Sequence, residues 1–366
     1  MPTFVYVGTF TGGLLGGEPA EGIYVYEMEP SSGALTHVQT VGGLSSPSYL
    51  ALHPTLPMLF TVEREWSPEE TNVGALTAFR IDPGSGKLTL AGRERSGGDY
   101  PAHVSVHPSG RFAFTANPRD WRVAALPLND EGLPEPASSI MRHGGRGPKA
   151  RQPAPYPHSS WPDHTGKWLL ACDLGIDRVM IYRFDEVTGQ LEPADFPYAQ
   201  VSSGAGARHL AFHPNNRVVY VLNELDATLS VFSFDPETGI LDTLQTVDNL
   251  PPDYDGRRSG AHVLVHPSGR FVYASSRGHD SLAVYAVTEA TGRPRFLEHV
   301  STQGRTPRNF NLSPNAGLML VANQHGSGSV VSFRVEDGGA RLVPTGASTT
   351  MPSPVCVVFY QVGSRQ

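Results

Sequence analysis

Apolar residues along the chain fall in short runs, separated by clusters of Gly, Pro, Asn, Asp and Ser. "FVYVGTF" (4–10), "FAFTAN" (112–117) and "FVYASS" (271–276) are typical: rich in Val, Phe and Tyr, and either alternating or continuously apolar. That pattern predicts β-strands. Turns such as "DPGSGKL" (82–88) and "DPETGIL" (235–241) place Gly where tight connections need a positive φ. Helical periodicity is almost absent.

The runs repeat. His-Pro occurs at 53, 107, 213 and 266, and two degenerate copies fill the series, "DHTG" counted from His164 and "LSPNAG" counted from Ser313. The spacings are 54, 57, 49, 53 and 47. A period of roughly 50 residues indicates a propeller or a solenoid. In each copy one strand enters the His-Pro turn, a second leaves it, and a third and fourth follow. Six copies are complete between 47 and about 350. The ends read as one divided copy: "SPVCVVFY" (353–360) supplies a first strand, and "FVYVGTF", "GIYVYEME" (22–29) and "GALTHVQT" (33–40) supply the second, third and fourth. Pairing the termini leaves no raw sheet edge, whereas a solenoid needs polar caps that neither end carries. The expectation is an all-β, single-domain protein over residues 1–366: a seven-bladed β-propeller of four-stranded antiparallel blades, closed by its N- and C-terminal strands.

Composition narrows the partners. The net charge is −7 with 17% charged residues, and no basic stripe marks a nucleic-acid surface. Cys172 and Cys356 stand alone, so neither a disulfide framework nor a zinc site is expected. The N-terminus lacks a secretory pattern and no long apolar stretch suggests a membrane span. A cytoplasmic protein, monomeric or weakly homo-oligomeric, is expected.

The repeat register locates the chemistry. The start of strand one and the end of strand two lie on the same face of the ring. Counted from the anchor, position −5 holds Ser48, Ala102, Ser159, Arg208, Ala261 and Arg308, and His158 falls at −6. Position +11 holds Arg64, Pro118, Gly175, Glu224, Arg277 and Gln324. His158, Arg208, Glu224, Arg277, Arg308 and Gln324 should therefore converge at one mouth of the channel. Arginine forks suit carboxylates and phosphates, so the set predicts a site for an anionic, oxygen-rich ligand. The alternative use of these charges is a salt-bridged ring closing the channel.

Other signals are structural by the same register. His103/His107, His209/His213 and His262/His266 are spaced by four but lie along strands. Asp173 and Asp177 in "DLGID" suit backbone bonding better than a cation, and no metal site is assigned. The Gly- and Pro-rich segment 143–156 is a solvated loop or a lid leading into His158. "GGLLGG" (12–17) reads as a hairpin loop.

Taken together, "YVGTFTGG…GIYVYEMEPSSGAL", "RQ…PHS", "DLGIDRVMIYRFD", "ARHLAFHPNNRVVYVLNELDATLSVF", "HPSGRFVYASSRGHDSLAVY" and "PRNFNLSP…LMLVANQ" resemble the propeller-type 6-phosphogluconolactonases over almost the whole chain. The resemblance implies hydrolysis of 6-phospho-D-glucono-1,5-lactone in the pentose phosphate pathway, without a cofactor. It implies catalytic roles for His158, Arg208, Glu224 and Arg277. Arg151, Arg308 and Gln324 are expected to contact substrate, and Arg277 with Arg308 to hold its phosphate. Ser160 stands where the family pattern has a second His, and the loop before Pro157-His158 is longer by three residues. Two other readings use the same face: a muconate-type lactonising or isomerising enzyme, and a non-catalytic propeller that binds a partner.

Overall fold

The computed structural model describes residues 2–12, 17–65 and 73–363. These residues form seven four-stranded antiparallel sheets. The hairpin reading of 12–17 falls largely outside the described residues. In the divided blade, Pro354–Gln361 pairs with Thr3–Thr9, from Thr3 opposite Gln361 to Thr9 opposite Pro354. Gly22–Met28 and Leu35–Gly42 complete that sheet. The closing strand is also tied to both neighbouring blades: Leu50 N–H donates to Cys356 Sγ at 3.4 Å, and Val357 N–H donates to Asn309 Oδ1 at 2.9 Å.

The continuous apolar runs have a simple cause, since each second strand is buried on both faces. In Trp168–Asp173, residues 168, 170 and 172 pack with Val219, Val221 and Phe232 of the next blade. Residues 169 and 171 pack with Phe112 and Phe114 of the preceding one. Each such buried Val, Leu or Phe contributes about 1.5–3 kcal/mol. The core therefore lies between blades, and no blade could bury its faces alone.

The His-Pro repeat is an inter-blade staple. His53 Nε2 donates to Gly110 O (2.9 Å), His107 Nε2 to Gly166 O (3.0 Å) and His213 Nε2 to Gly269 O (3.0 Å). Nδ1 of each ring accepts a backbone N–H two residues on, which fixes the tautomer. The Gly of the turn is required twice over. Gly166 has φ 77°, and a Cβ there would sit 2.1 Å from His107 Nε2.

This contact corrects one register assignment. In the fourth blade the residue equivalent to the turn His is Asp163, not His164: Asp163 N–H bonds Trp168 O as His107 N–H bonds Phe112 O. The next blade carries Asn216 in place of the turn Gly, and Asn216 Nδ2 donates to Asp163 Oδ2 at 2.8 Å. An Asp–Asn pair thus replaces the His–Gly staple at one junction. With the anchor moved, His158 takes position −5 and Leu174, not Gly175, takes +11.

Replacing His107 by Ala should remove a staple and leave a void beside Phe112, Phe114 and Phe184. A loss of about 2–4 kcal/mol is expected, from the unpaired carbonyl plus the cavity. Urea unfolding checks it; an unchanged midpoint would show the staple to be dispensable.

Candidate active site

Position −5 is special in backbone geometry as well as in sequence. The register jumps from Pro157/Asp173 to Ser159/Cys172, from Ala207/Asn223 to His209/Leu222, and from Pro307/Asn323 to Asn309/Ala322. His158, Arg208 and Arg308 are each the unpaired residue of a β-bulge. A bulge re-aims its side chain out of the strand's alternation. Three blades thereby turn a charged or titratable residue to the mouth of the channel. Position +11 lies one residue beyond the second strand, where Glu224 N–H is held by Gly206 O (2.7 Å) and Arg277 N–H by Ser259 O (2.8 Å).

These elements surround a cleft of about 260 Å³ lined by His158, Glu224, Arg277, Arg308, Gln324 and Arg151. Glu224 is its electrostatic centre. Its Oε2 meets Arg208 Nε at 3.0 Å and Arg277 Nη2 at 2.8 Å, and its Oε1 meets Arg151 Nη2 at 2.9 Å. Burial pushes the Glu224 carboxyl up, but Arg277 and Arg208 outweigh it and hold the group well below the usual carboxylate range. Arg208 does not line the cleft. It is 2% exposed, lies beneath Glu224 and also donates to Ala261 O. Burial first, then Arg277, pushes its pKa down to about 10.

His158 lines the cleft, its ring makes no hydrogen bond among the described residues, and its Nδ1 is buried without a partner. Burial, reinforced by Arg208, drives its pKa well below 6.5, while Glu224 pulls the other way. The ring is therefore neutral at physiological pH. Arg308 stacks on Phe10, 5.0 Å from the ring centroid, and Nη1 reaches Gln324 Oε1 at 3.4 Å. Burial and the guanidiniums of Arg208, Arg277 and Arg64 push its pKa below the ordinary value.

The loop 143–156 is pinned by the two carboxylates of "DLGID". Asp173 bonds His143 Nδ1 (2.6 Å) and the backbone N–H of Tyr156 and Gly175. Asp177 accepts from Gln152 Nε2 (2.6 Å) and from the N–H of Gly204 and Gly206. Both acids thus position the loop that delivers Arg151 and Tyr156 to the cleft.

Sequence reasoning missed Tyr156, Arg257 and Arg64. Arg64 was visible, since it occupies +11. It bonds the Tyr100 hydroxyl at 2.6 Å and lies over Phe10, opening with Arg308 onto a small void below the cleft. Arg257 and Tyr156 come from irregular segments with no counterpart in other blades, and no sequence signal marks them.

Mid-channel, His103, His209 and His262 pack with Tyr49 and Trp161. His209 and His262 approach at 2.9 Å between Nδ1 atoms, and burial pushes His262 down to about 3. At the opposite mouth lies a larger cavity of about 720 Å³, walled mainly by apolar residues such as Leu50, Val104, Phe212 and Val263. Its Asp163 and His107 serve the inter-blade turns. Convergent charge belongs to the smaller cleft.

Seven blades surround the channel, and a cleft lined by four guanidiniums opens at one mouth, a charge that suits an anionic, oxygen-rich molecule. The chain belongs to the lactonase family of seven-bladed β-propellers, whose sequence model matches residues 4–359. It is 34% identical over 357 residues to a 6-phosphogluconolactonase of Bacillus subtilis, covering 97% of each chain. A 6-phosphogluconolactonase of Formosa agariphila is 30% identical over 348 residues, covering 93% of this chain and 95% of that one. The solved structure of a periplasmic gluconolactonase of Pseudomonas aeruginosa superposes with a TM-score of 0.90 at 31% identity, covering 99% of this chain and all of the other. No helix among the described residues is long and apolar enough to cross a membrane.

Proposed function

We propose that this protein hydrolyses 6-phospho-D-glucono-1,5-lactone to 6-phosphogluconate, serving the pentose phosphate pathway in the cytoplasm. One observation carries the choice of a phosphorylated lactone: four guanidiniums and a single carboxylate line the cleft, with two more guanidiniums just behind it. The carboxylate lining the cleft does not balance this excess, and burial together with Arg208, Arg277 and Arg64 already pushes the Arg308 pKa down. A neutral lactone would leave it so; a phosphate ester carrying roughly two negative charges relieves it.

The chemistry follows from the same residues. Neutral His158 takes a proton from the attacking water as oxygen adds to the lactone carbonyl. Arg277 and Arg151 donate to the developing oxyanion. Glu224 holds both guanidiniums in place and stabilises the imidazolium that forms. Arg208 fixes Glu224 from below, as a positioning residue. The ring C–O bond then breaks, the leaving oxygen takes the proton back, and the new carboxylic acid ionises. The δ-lactone is intrinsically labile, so no covalent nucleophile is needed.

Hydrolysis of freshly generated 6-phosphogluconolactone, followed against the spontaneous rate, tests the proposal. Faster turnover of unphosphorylated gluconolactone at equal concentration would move the assignment to the neutral sugar lactone. The pH profile adds a second check. The active form of His158 is neutral and its pKa lies well below 6.5. At saturating substrate, where ionisation of the free phosphate ester does not enter, kcat should therefore stay level as pH falls through 6.5 and decline only in stronger acid. A midpoint at the ordinary imidazole value would contradict this environment for the base.

A further inference from the structure

Resting on the lactonase reading, we infer that the phosphate of the substrate binds to Arg257 and Arg308 in the cleft, and that Arg257 sets the preference for phosphorylated lactones. The argument is one of unspent charge. Four guanidiniums line the cleft. Arg277 has already given its Nη2 to Glu224 and to the Gly260 carbonyl, at 2.8 and 3.0 Å. Arg151 pairs with the other oxygen of the same carboxylate. A phosphate on either would have to compete with the buried Glu224 carboxylate. Arg308 makes one long bond to an amide oxygen. The Arg257 guanidinium makes no hydrogen bond or ion pair among the described residues.

Arg257 is exposed, yet its backbone is braced. It lies in the segment 249–259, between the strands Leu241–Asp248 and Gly260–Val265. Its neighbour Arg258 is neutralised by both oxygens of Asp248 at 2.6 Å and bonds Asp226 O at 2.7 Å. The Tyr254 hydroxyl donates to the Arg257 carbonyl at 3.3 Å, and the Tyr254 ring meets His279 edge-on at 5.0 Å. Gly278, next to Arg277, lies under the same carbonyl, where a Cβ would come within 1.8 Å. The segment is thus locked against the Arg277 corner, with one of its two arginines consumed structurally and the other presented to the cleft. Thr306 and Gln324 line the same cleft with a hydroxyl and an amide. Two guanidiniums lining one cleft suit a phosphate monoester better than a sugar hydroxyl.

The test compares wild type, Arg257→Ala, Arg308→Gln and, as a control, Arg305→Ala. Arg305 is exposed three residues before Arg308 but does not line the cleft. Two readouts are used: KM for 6-phosphogluconolactone against KM for gluconolactone, and calorimetric binding of 6-phosphogluconate against gluconate. Arg257→Ala should raise the first KM relative to the second by about 10- to 100-fold, the scale of one charge-assisted pair. It should weaken 6-phosphogluconate binding by a similar factor, with kcat nearly unchanged. Arg308→Gln should weaken 6-phosphogluconate comparably, and Arg305→Ala should move neither readout. Equal effects of Arg257→Ala on both lactones, or undiminished 6-phosphogluconate binding, would overturn the assignment. If wild type hydrolyses neither lactone, the lactonase reading fails instead; the binding arm still decides the subsite, by whether 6-phosphogluconate affinity depends on Arg257.

Discussion

Glu224→Gln should lower stability by about 3–5 kcal/mol and abolish most activity together, although the side chain barely changes size. The cost is electrostatic. Arg208 is almost fully buried, and Glu224 is its ion-pair partner. Removing the carboxylate charge leaves Arg208 and Arg277 buried against each other, and breaking one side of a buried pair costs on that scale. Arg151 loses its anchor at the same time. Chemical denaturation at neutral pH measures the loss. A second measurement separates fold from chemistry: bound 6-phosphogluconate should restore part of the stability of Glu224→Gln, because its negative charges enter the same field. If the variant melts like wild type, the three arginines do not depend on Glu224 and the electrostatic account of the cleft fails.

This expectation revises what the repeat suggests. One other blade folds with Ala102 at −5 and Pro118 at +11, and two more carry Ser48 and Ala261 at −5, so substitutions at Arg208 and Glu224 look harmless from sequence. Burial decides otherwise. In the blade with Ala102 and Pro118 both slots hold small neutral residues that need no partner. Here two long charged side chains fill the space, and each is tolerable only with the other. The same logic explains why Arg208 is a poor candidate for touching substrate: its Nε and Nη1 are already committed.

The architecture was legible because it is periodic. His-Pro turns, alternating strands and the divided copy at the termini all report the same unit, and the closing pair of Thr3–Thr9 with Pro354–Gln361 follows from matching its strands. The face of the site was legible too, since strand direction alone brings −5 and +11 to one mouth. What failed were the places where the repeat is broken. Asp163 does the work of a turn His through a different hydrogen bond, so counting from His164 displaced one blade by a residue. The bulges at His158, Arg208 and Arg308 leave no mark in composition, because an extra strand residue can be of any type. Arg257 sits in a connection that only one blade possesses. The charge balance also needed coordinates, since sequence lists arginines but not which of them are already paired.

His158→Ala should lower kcat by about 10²-fold or more, the usual scale for losing a general base, with little change in melting temperature. The two halves of this expectation have separate reasons. Glu224 is the rival base, but three guanidiniums hold it ionised and occupy its oxygens, so it is a poor proton acceptor. His158 is the neutral titratable group that lines the cleft without any hydrogen bond to break. Its loss removes ring packing against His209 at 5.1 Å and Tyr156 at 6.0 Å, and also removes a buried unpaired nitrogen, two effects of opposite sign. His209→Ala is the matched comparison. That ring is equally buried and adjacent, yet it lies below the cleft, so its removal should cost stability and spare kcat. Added imidazole, small enough to enter the vacated space, should restore part of the rate of His158→Ala and none of the deficit of Glu224→Gln. A His158→Ala enzyme with near wild-type kcat, or one that loses rate only as it loses folded protein, would remove His158 from the chemistry. Water activation would then fall to the guanidinium field alone, acting on a lactone that already hydrolyses readily.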